Sequence, residues 1–308
     1  MADDDNPKDE TPSEEDKAAD TDTESEDAGS QDEDQTDDDR NDQDLKVHVT
    51  AEAGAGRPVV LIHGWPLSGE SWSAQVKPLK DAGYKVVTYD RRGFGKSDPG
   101  DSYDYDALAD DLDNVLTDLD LTEVTLVGFS MGGGEVARYI SRHGEDRLHS
   151  VVFAAAVPPA LLQSDDNPDG PLTEDAAGEM RSGLEKDRDA FFEDFTTQFF
   201  SAGDDLKVSE DQRKEAVKLC QQSNQEAALG CLDAFATTDF REDLKKVDVP
   251  VLVIHGDSDG IVPFEGSGKR THESIQGSEL VLVEGAPHGL NLSHAEEFNS
   301  ALLEFLED

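Results

Sequence analysis

The segment Gly128-Phe129-Ser130-Met131-Gly132 joins the apolar run VTLVGFS, Val124 to Ser130, to GGGEVARYI, whose apolar residues recur at helical spacing. A strand that becomes a helix so abruptly needs residues without Cβ atoms on both sides of the turn, and Gly128 and Gly132 supply them. Such a turn pushes the serine oxygen beyond the sheet edge. It also aims helix N-terminal N–H groups at whatever that oxygen attacks, where they favour developing negative charge. A serine hydroxyl is a weak nucleophile until a base takes its proton, so the chemistry requires a histidine and a carboxylate to orient it. Of eight histidines, His288 stands out in EGAPHGL, a Gly/Pro-bounded loop after the last apolar run, on the same side of a parallel sheet as Ser130. His48, His143, His149, His255, His272 and His294 fall in strand, helix-end or polar helical patterns that give them ordinary structural roles. The carboxylate should come from another strand end, where HGDSDGIVP offers Asp257 and Asp259; one slot takes only one, and the other would stabilise the turn through side-chain-to-backbone bonds. Acyl transfer also needs oxyanion donors. The N–H of Met131, next to the serine, is one, and the N–H of Trp65 in HGWP is the other. Pro66 lacks an N–H and restricts Trp65 to extended conformations, while His63 is expected to brace that loop by hydrogen bonds.

These groups need a frame that brings several strand ends to one edge. The runs VVLIHG, KVVTYD, VTLVGFS, LHSVVFAA, VPVLVIHGD and ELVLVEGA are nearly continuous in Val, Leu and Ile, as suits strands covered on both faces. Helical patterns lie between them, near residues 71–82, 105–119, 132–143, 266–275 and 293–306. This alternation predicts an α/β fold with a mostly parallel, helix-covered sheet, and LKVHVT adds an edge strand at the start. The alternation fails over residues 158–240, which hold no convincing strand and read as loops with three or four helices: a helical cap insertion over about 159–240. Within it AFFEDFTTQFF places Phe191, Phe192, Phe195, Phe199 and Phe200 on one helical face. Some of these rings should pack cap on core. Phe191, Phe195 and Phe199, with Phe129 beside the serine, are assigned to the wall of an apolar substrate pocket.

The chain of 308 residues carries 71 Asp and Glu against 26 Lys and Arg, a formal charge of −45 that would repel phosphates and so excludes a nucleic-acid role. Residues 1–44 hold 21 of the acidic and three of the basic side chains and almost nothing apolar, so this acidic tail is expected to be disordered, with the folded domain spanning 45–308. The remaining 50 acidic and 23 basic residues would still repel one another in dilute buffer. Salt near 1 M shrinks the screening length to about 3 Å, so we expect a halophilic protein from a salt-accumulating cytoplasm. With no charged-then-apolar N-terminal segment and no apolar run near about 18 residues, the chain reads as soluble and cytoplasmic, without membrane partners. Cys220 and Cys231 are the only cysteines and read as buried apolar fillers.

From Leu45 onward the chain resembles the cofactor-free (non-haem) haloperoxidase, perhydrolase and aryl-esterase group of the α/β-hydrolase superfamily. The resemblance is carried by HGWPLSGESW, YDRRGFGKSD, YDALADDL, GFSMGGGEVARYI, VVFAAAVPP, HGDSDGIVP and GAPHGL. It implies an α/β-hydrolase fold, a Ser130, Asp259, His288 triad, with Asp259 taken over Asp257 as the second aspartate of G-D-x-D-x-x-V-P, and an oxyanion hole of Trp65 and Met131. It also implies hydrolysis of small esters, peracid formation from carboxylic acids and hydrogen peroxide, no metal or cofactor, and a homo-oligomer. In such members a main-chain carbonyl at the Trp-Pro pair accepts a hydrogen bond from peroxide. Met131, beside the nucleophile, is the thioether expected to suffer from the oxidant. Dehalogenase and epoxide-hydrolase chemistry needs an aspartate where this chain has Ser130; lactone or carbon–carbon hydrolysis stays open, as does a non-catalytic interaction protein working through its acidic tail.

Overall fold

The computed structural model describes residues 45–307 apart from 53 and 55, so the acidic tail of residues 1–44 lies outside the described residues. The apolar runs form strands because Val, Ile and Leu fit a pleated surface buried on both faces. In chain order, β1 (Val49–Glu52) and β2 (Pro58–Ile62) precede α1 (Ser73–Asp81), β3 (Lys85–Tyr89), α2 (Tyr105–Asp118), β4 (Val124–Phe129), α3 (Met131–His143) and β5 (Leu148–Ala154). The segment after β5 contains α4 (Glu174–Lys186), α5 (Arg188–Phe199), β6 (Ser201–Ala202), β7 (Asp205–Leu206), α6 (Glu210–Gln221), α7 (Gln225–Thr237) and α8 (Arg241–Leu244). The chain then returns through β8 (Val251–Gly256), α9 (Gly268–Ser274), β9 (Glu279–Val283), α10 (Leu290–Ser293) and α11 (Ala295–Glu307).

Seven strands make the main sheet in the order β1-β3-β2-β4-β5-β8-β9, with β1 antiparallel to β3 and every other pairing parallel. Every residue of β4 and β8 is buried, as central strands between two helical layers should be. Register decides what meets at the edge. Ile62 pairs with Gly128, Phe129 with Ala154, Ala154 with Ile254 and Gly256 with Val283, so the loops leaving β2, β4, β8 and β9 emerge on one side.

Several element ends differ from the sequence expectation. The helix expected from residue 71 starts as a 3-10 turn, Gly69–Trp72, and becomes α1 only at Ser73, with Pro78 inside it. The last helix divides at His294 into α10 and α11, and the insertion contains the small antiparallel ladder of β6 and β7, two residues each and too short to leave a periodic signal. The insertion's helices carry strong local starts: Thr173 caps α4, Asp187 caps α5, Ser209 and Gln212 form a capping box on α6, and Asn224 caps α7. Phe192, Phe195 and Phe199 of α5 are buried while Glu193 and Thr197 are exposed, the amphipathic split that seats this helix. No helix among the described residues is long and apolar enough to cross a membrane.

Candidate active site

Ser130 stands between β4 and α3 with φ 55° and ψ −117°, a left-handed conformation that a non-glycine residue holds at a cost of order 1–3 kcal/mol. The flanking glycines make this geometry possible. A Cβ on Gly128 would come within 2.5 Å of the Gly132 carbonyl oxygen, and one on Gly132 within 2.7 Å of the Ile62 carbonyl oxygen. The Ser130 hydroxyl does not cap the helix it precedes. It lies 2.9 Å from His288 Nε2 instead.

His288 Nδ1 is 2.7 Å from Asp259 Oδ2. A carboxylate only accepts, so Nδ1 carries the proton and donates, which leaves Nε2 as the acceptor for the Ser130 hydroxyl. Asp259 is held from the other side as well: its Oδ1 accepts the amides of Ile261 at 2.9 Å and Val262 at 2.8 Å. Burial alone would push this carboxyl up. The charge of His288 and the hydrogen bonds of His255 and His288 outweigh burial and hold it well below the usual carboxylate range. Asp257, the other aspartate of the turn, accepts from the Gly285 amide at 2.7 Å and the Ser258 hydroxyl at 2.8 Å, tying the loop after β8 to the loop after β9.

His255 is a participant that sequence reasoning missed. Fully buried at the end of β8, it directs Nε2 toward the Val262 carbonyl at 2.8 Å and Asp259 Oδ2 at 3.2 Å, so its Nε2–H lies between two acceptors. Its position just before G-D-x-D was the available signal. A second missed group is the buried ion pair of Arg91 and Glu135: Arg91 Nε donates to Glu135 Oε2 at 2.9 Å, and the Tyr89 hydroxyl donates to the other oxygen. Arg91 also donates through Nη2 to the His63 carbonyl at 2.8 Å and through its amide to His63 Nε2 at 2.9 Å. His63 Nδ1–H then donates to the Gly64 carbonyl at 2.9 Å, so this histidine braces the loop as expected. Burial, then the Arg91 charge, drives its pKa well below the usual histidine range and keeps the ring neutral. The network ties α3 to the loop after β2, and a charged Glu135 within the apolar stripe of α3 was its visible sign.

That loop carries Trp65, joined to Pro66 by a cis peptide bond. Among the described residues no acceptor takes the backbone amide of Trp65, in that loop, or of Met131, the first residue of α3, so two donors remain free near Ser130. The Trp65 indole donates to the Ala228 carbonyl of α7 at 2.9 Å and packs edge-on to Phe195 at 5.2 Å, which locks the loop to the insertion.

A cavity of about 410 Å³ opens over Ser130 and His288, walled by Trp65, Leu161, Leu172, Phe191, Phe195 and Phe235, with Met180 among its lining. Of the four rings expected in a substrate pocket, Phe191 and Phe195 line this cavity. Phe129 and Phe199 do not line it: Phe129 packs at 5.2 Å and Phe199 at 4.9 Å from the His288 ring, and Phe199 lines a separate cleft reaching Phe200 and Ala216. Phe129 precedes the turn and points into the core, and Phe199 sits one turn past Phe195 on α5, so both rings support the imidazole instead of the pocket. Cys220 and Cys231 are buried outside the cavity; burial pushes both thiols up, Cys231 to about 12. Among the described residues no three His, Cys, Asp or Glu side chains form a metal-ligating group.

Residues 57–295 match the family model described as alpha/beta hydrolase fold. Over 257 residues the chain is 46% identical to a non-heme chloroperoxidase of Kitasatospora aureofaciens, covering 82% of this chain and 93% of that protein. It is 38% identical over 253 residues to a bifunctional esterase/perhydrolase of Acinetobacter calcoaceticus, covering 81% of this chain and 91% of that one. The crystal structure of bromoperoxidase from Bacillus anthracis superposes with a TM-score of 0.84 at 54% identity, over 86% of this chain and 96% of that chain.

Proposed function

The chain belongs to the α/β-hydrolase fold family, and from that premise we propose that it is a serine hydrolase that cleaves small carboxylic esters through an acyl-enzyme and, given hydrogen peroxide, forms peracids. The observation that carries this reading is the Ser130, His288, Asp259 relay, with Oγ to Nε2 at 2.9 Å and Nδ1 to Oδ2 at 2.7 Å, opening into an apolar cavity. Ser130 Oγ attacks the ester carbonyl while His288 Nε2 takes its proton and then delivers it to the leaving alcohol. Asp259 holds the imidazole orientation and stabilises its charged form. The free amides of Met131 and Trp65 receive the oxyanion, and one such donor is typically worth about 10²–10³ in rate. Water, deprotonated by the same imidazole, releases the acid. Hydrogen peroxide competes with water for the acyl-enzyme, and the name of the Acinetobacter relative, an esterase/perhydrolase, supports that branch.

The lining favours neutral acyl groups. Its walls are aromatic and aliphatic, Asp194 is its one carboxylate apart from the relay, and none of its lining residues is Lys or Arg, so a carboxylate-bearing acyl chain would find no counter-charge. The acidic composition supports a working environment of high salt, which a salt-accumulating cytoplasm would supply. The reading is tested by following hydrolysis of acetyl, butyryl and succinyl aryl esters, and peracid formation from acetate and peroxide. Neutral esters should turn over at least about tenfold faster than the succinyl ester; absence of any ester turnover by folded protein would reject the reading.

A further inference from the structure

The expectation that Met131 bears the oxidant does not survive its burial. Its side chain has no exposed surface, and it does not line the cavity. Of the three methionines in the chain, Met1 lies outside the described residues, and Met180 on α4 is half-buried and lines the cavity that holds Ser130 and His288. Met180 shares the wall of that cavity with Leu172, Phe191 and Phe195. We propose that Met180 is a self-oxidation site: a peracid formed at Ser130 transfers its terminal oxygen to the Met180 thioether before leaving the cavity. This inference rests on the perhydrolase branch of the proposed function.

The step balances without another reactant. The O–O bond of the peracid breaks, an S–O bond forms, and the peracid proton stays with the departing carboxylic acid; sulfur loses two electrons and the peracid gains them. Confinement decides where oxidation falls. One peracid molecule in about 410 Å³ has a local concentration on the order of molar, far above what released product reaches in bulk. The competing soft groups are withheld: both thiols are buried outside the cavity and pushed toward the neutral form, and thiolate character governs their oxidation. The product is a polar, chiral sulfoxide in a wall otherwise apolar, so oxidation would weaken binding of longer apolar acyl chains while leaving the relay itself intact.

The test uses the full chain with acetate and hydrogen peroxide, peracid followed by halide oxidation and sulfoxide located by peptide mass spectrometry. Two controls omit acetate or use Ser130→Ala, and a third adds excess free methionine to scavenge released peracid. Met180 sulfoxide should accumulate about tenfold faster in the complete reaction than without acetate or in the variant, and free methionine should not prevent it. Equal rates with and without acetate would assign the oxidation to peroxide alone, and suppression by free methionine would assign it to peracid from solution; either overturns the proposal. Peracid production with Met180 unoxidised overturns this inference alone, whereas no peracid from an active esterase overturns it together with the perhydrolase branch.

Discussion

At the scale of single residues the site depends on keeping Asp259 ionised while it is buried. Two amides, His288 and His255 converge on this carboxylate, and burial, which would raise its pKa, is outweighed by His288 and His255, which depress it. A carboxyl whose folded pKa lies below its unfolded value of about 3.9 contributes stability that is fully present above that value and is lost as pH falls through the folded pKa. Asp259→Asn has no such contribution. Its stability deficit against the wild type should therefore be full near pH 7 and smaller near pH 3, with kcat reduced about 10⁴-fold at neutral pH; equal deficits at the two pH values would show that Asp259 is not the linked group. That Ser130, His288 and the G-D-x-D turn come together was legible because glycine-bounded turns at strand ends leave a mark in sequence. Arg91 and Glu135 were not, because each acts through a partner that only the packing of α3 and of the segments after β2 and β3 brings near, and His255 was not, because only the turn that follows it folds Asp259 and Val262 back onto its ring.

At the scale of elements, the tight junction of β4 and α3 is the part least tolerant of change. A methyl group at position 132 would meet the Ile62 carbonyl at 2.7 Å and its Cγ2 at 3.0 Å, and β2 is a central strand that cannot retreat. Gly132→Ala should lower stability by about 1–3 kcal/mol and reduce ester turnover of the folded fraction, because α3 and the Met131 amide would shift together. Turnover unchanged in the folded variant would show that the elbow tolerates displacement. The buried strands were readable from their apolar runs, and the phenylalanine face of α5 from its period. Periodicity shows which rings share a face but not what that face meets, so Phe199 was assigned to the pocket when it packs against His288 and Phe200.

At the scale of the whole molecule, charge sets the conditions under which the fold is comfortable. Outside residues 1–44 the chain has 50 acidic and 23 basic residues, so like charges repel across it in dilute buffer. Many of its ion pairs are exposed, Lys77 with Asp81 and Lys245 with Glu242 among them, and such pairs contribute about 0–1 kcal/mol each, a small loss on screening. Relief of repulsion should therefore win. The thermal midpoint should rise by roughly 5 °C or more between dilute buffer and molar KCl, as calorimetry would read it; a midpoint that falls would contradict this. Net charge was plain in the sequence, whereas the cavity, built by α4, α5 and α7 against the loop of Trp65, is a property of packing alone.

The central claim is that Ser130 is a nucleophile activated by His288, and the most direct measurement is hydrolysis of p-nitrophenyl acetate in molar KCl by the wild type and by Ser130→Ala, with circular dichroism on both. The account predicts an active wild type and a variant with the same spectrum whose kcat is lower by about 10³-fold or more. Equal turnover by the two folded proteins would contradict it.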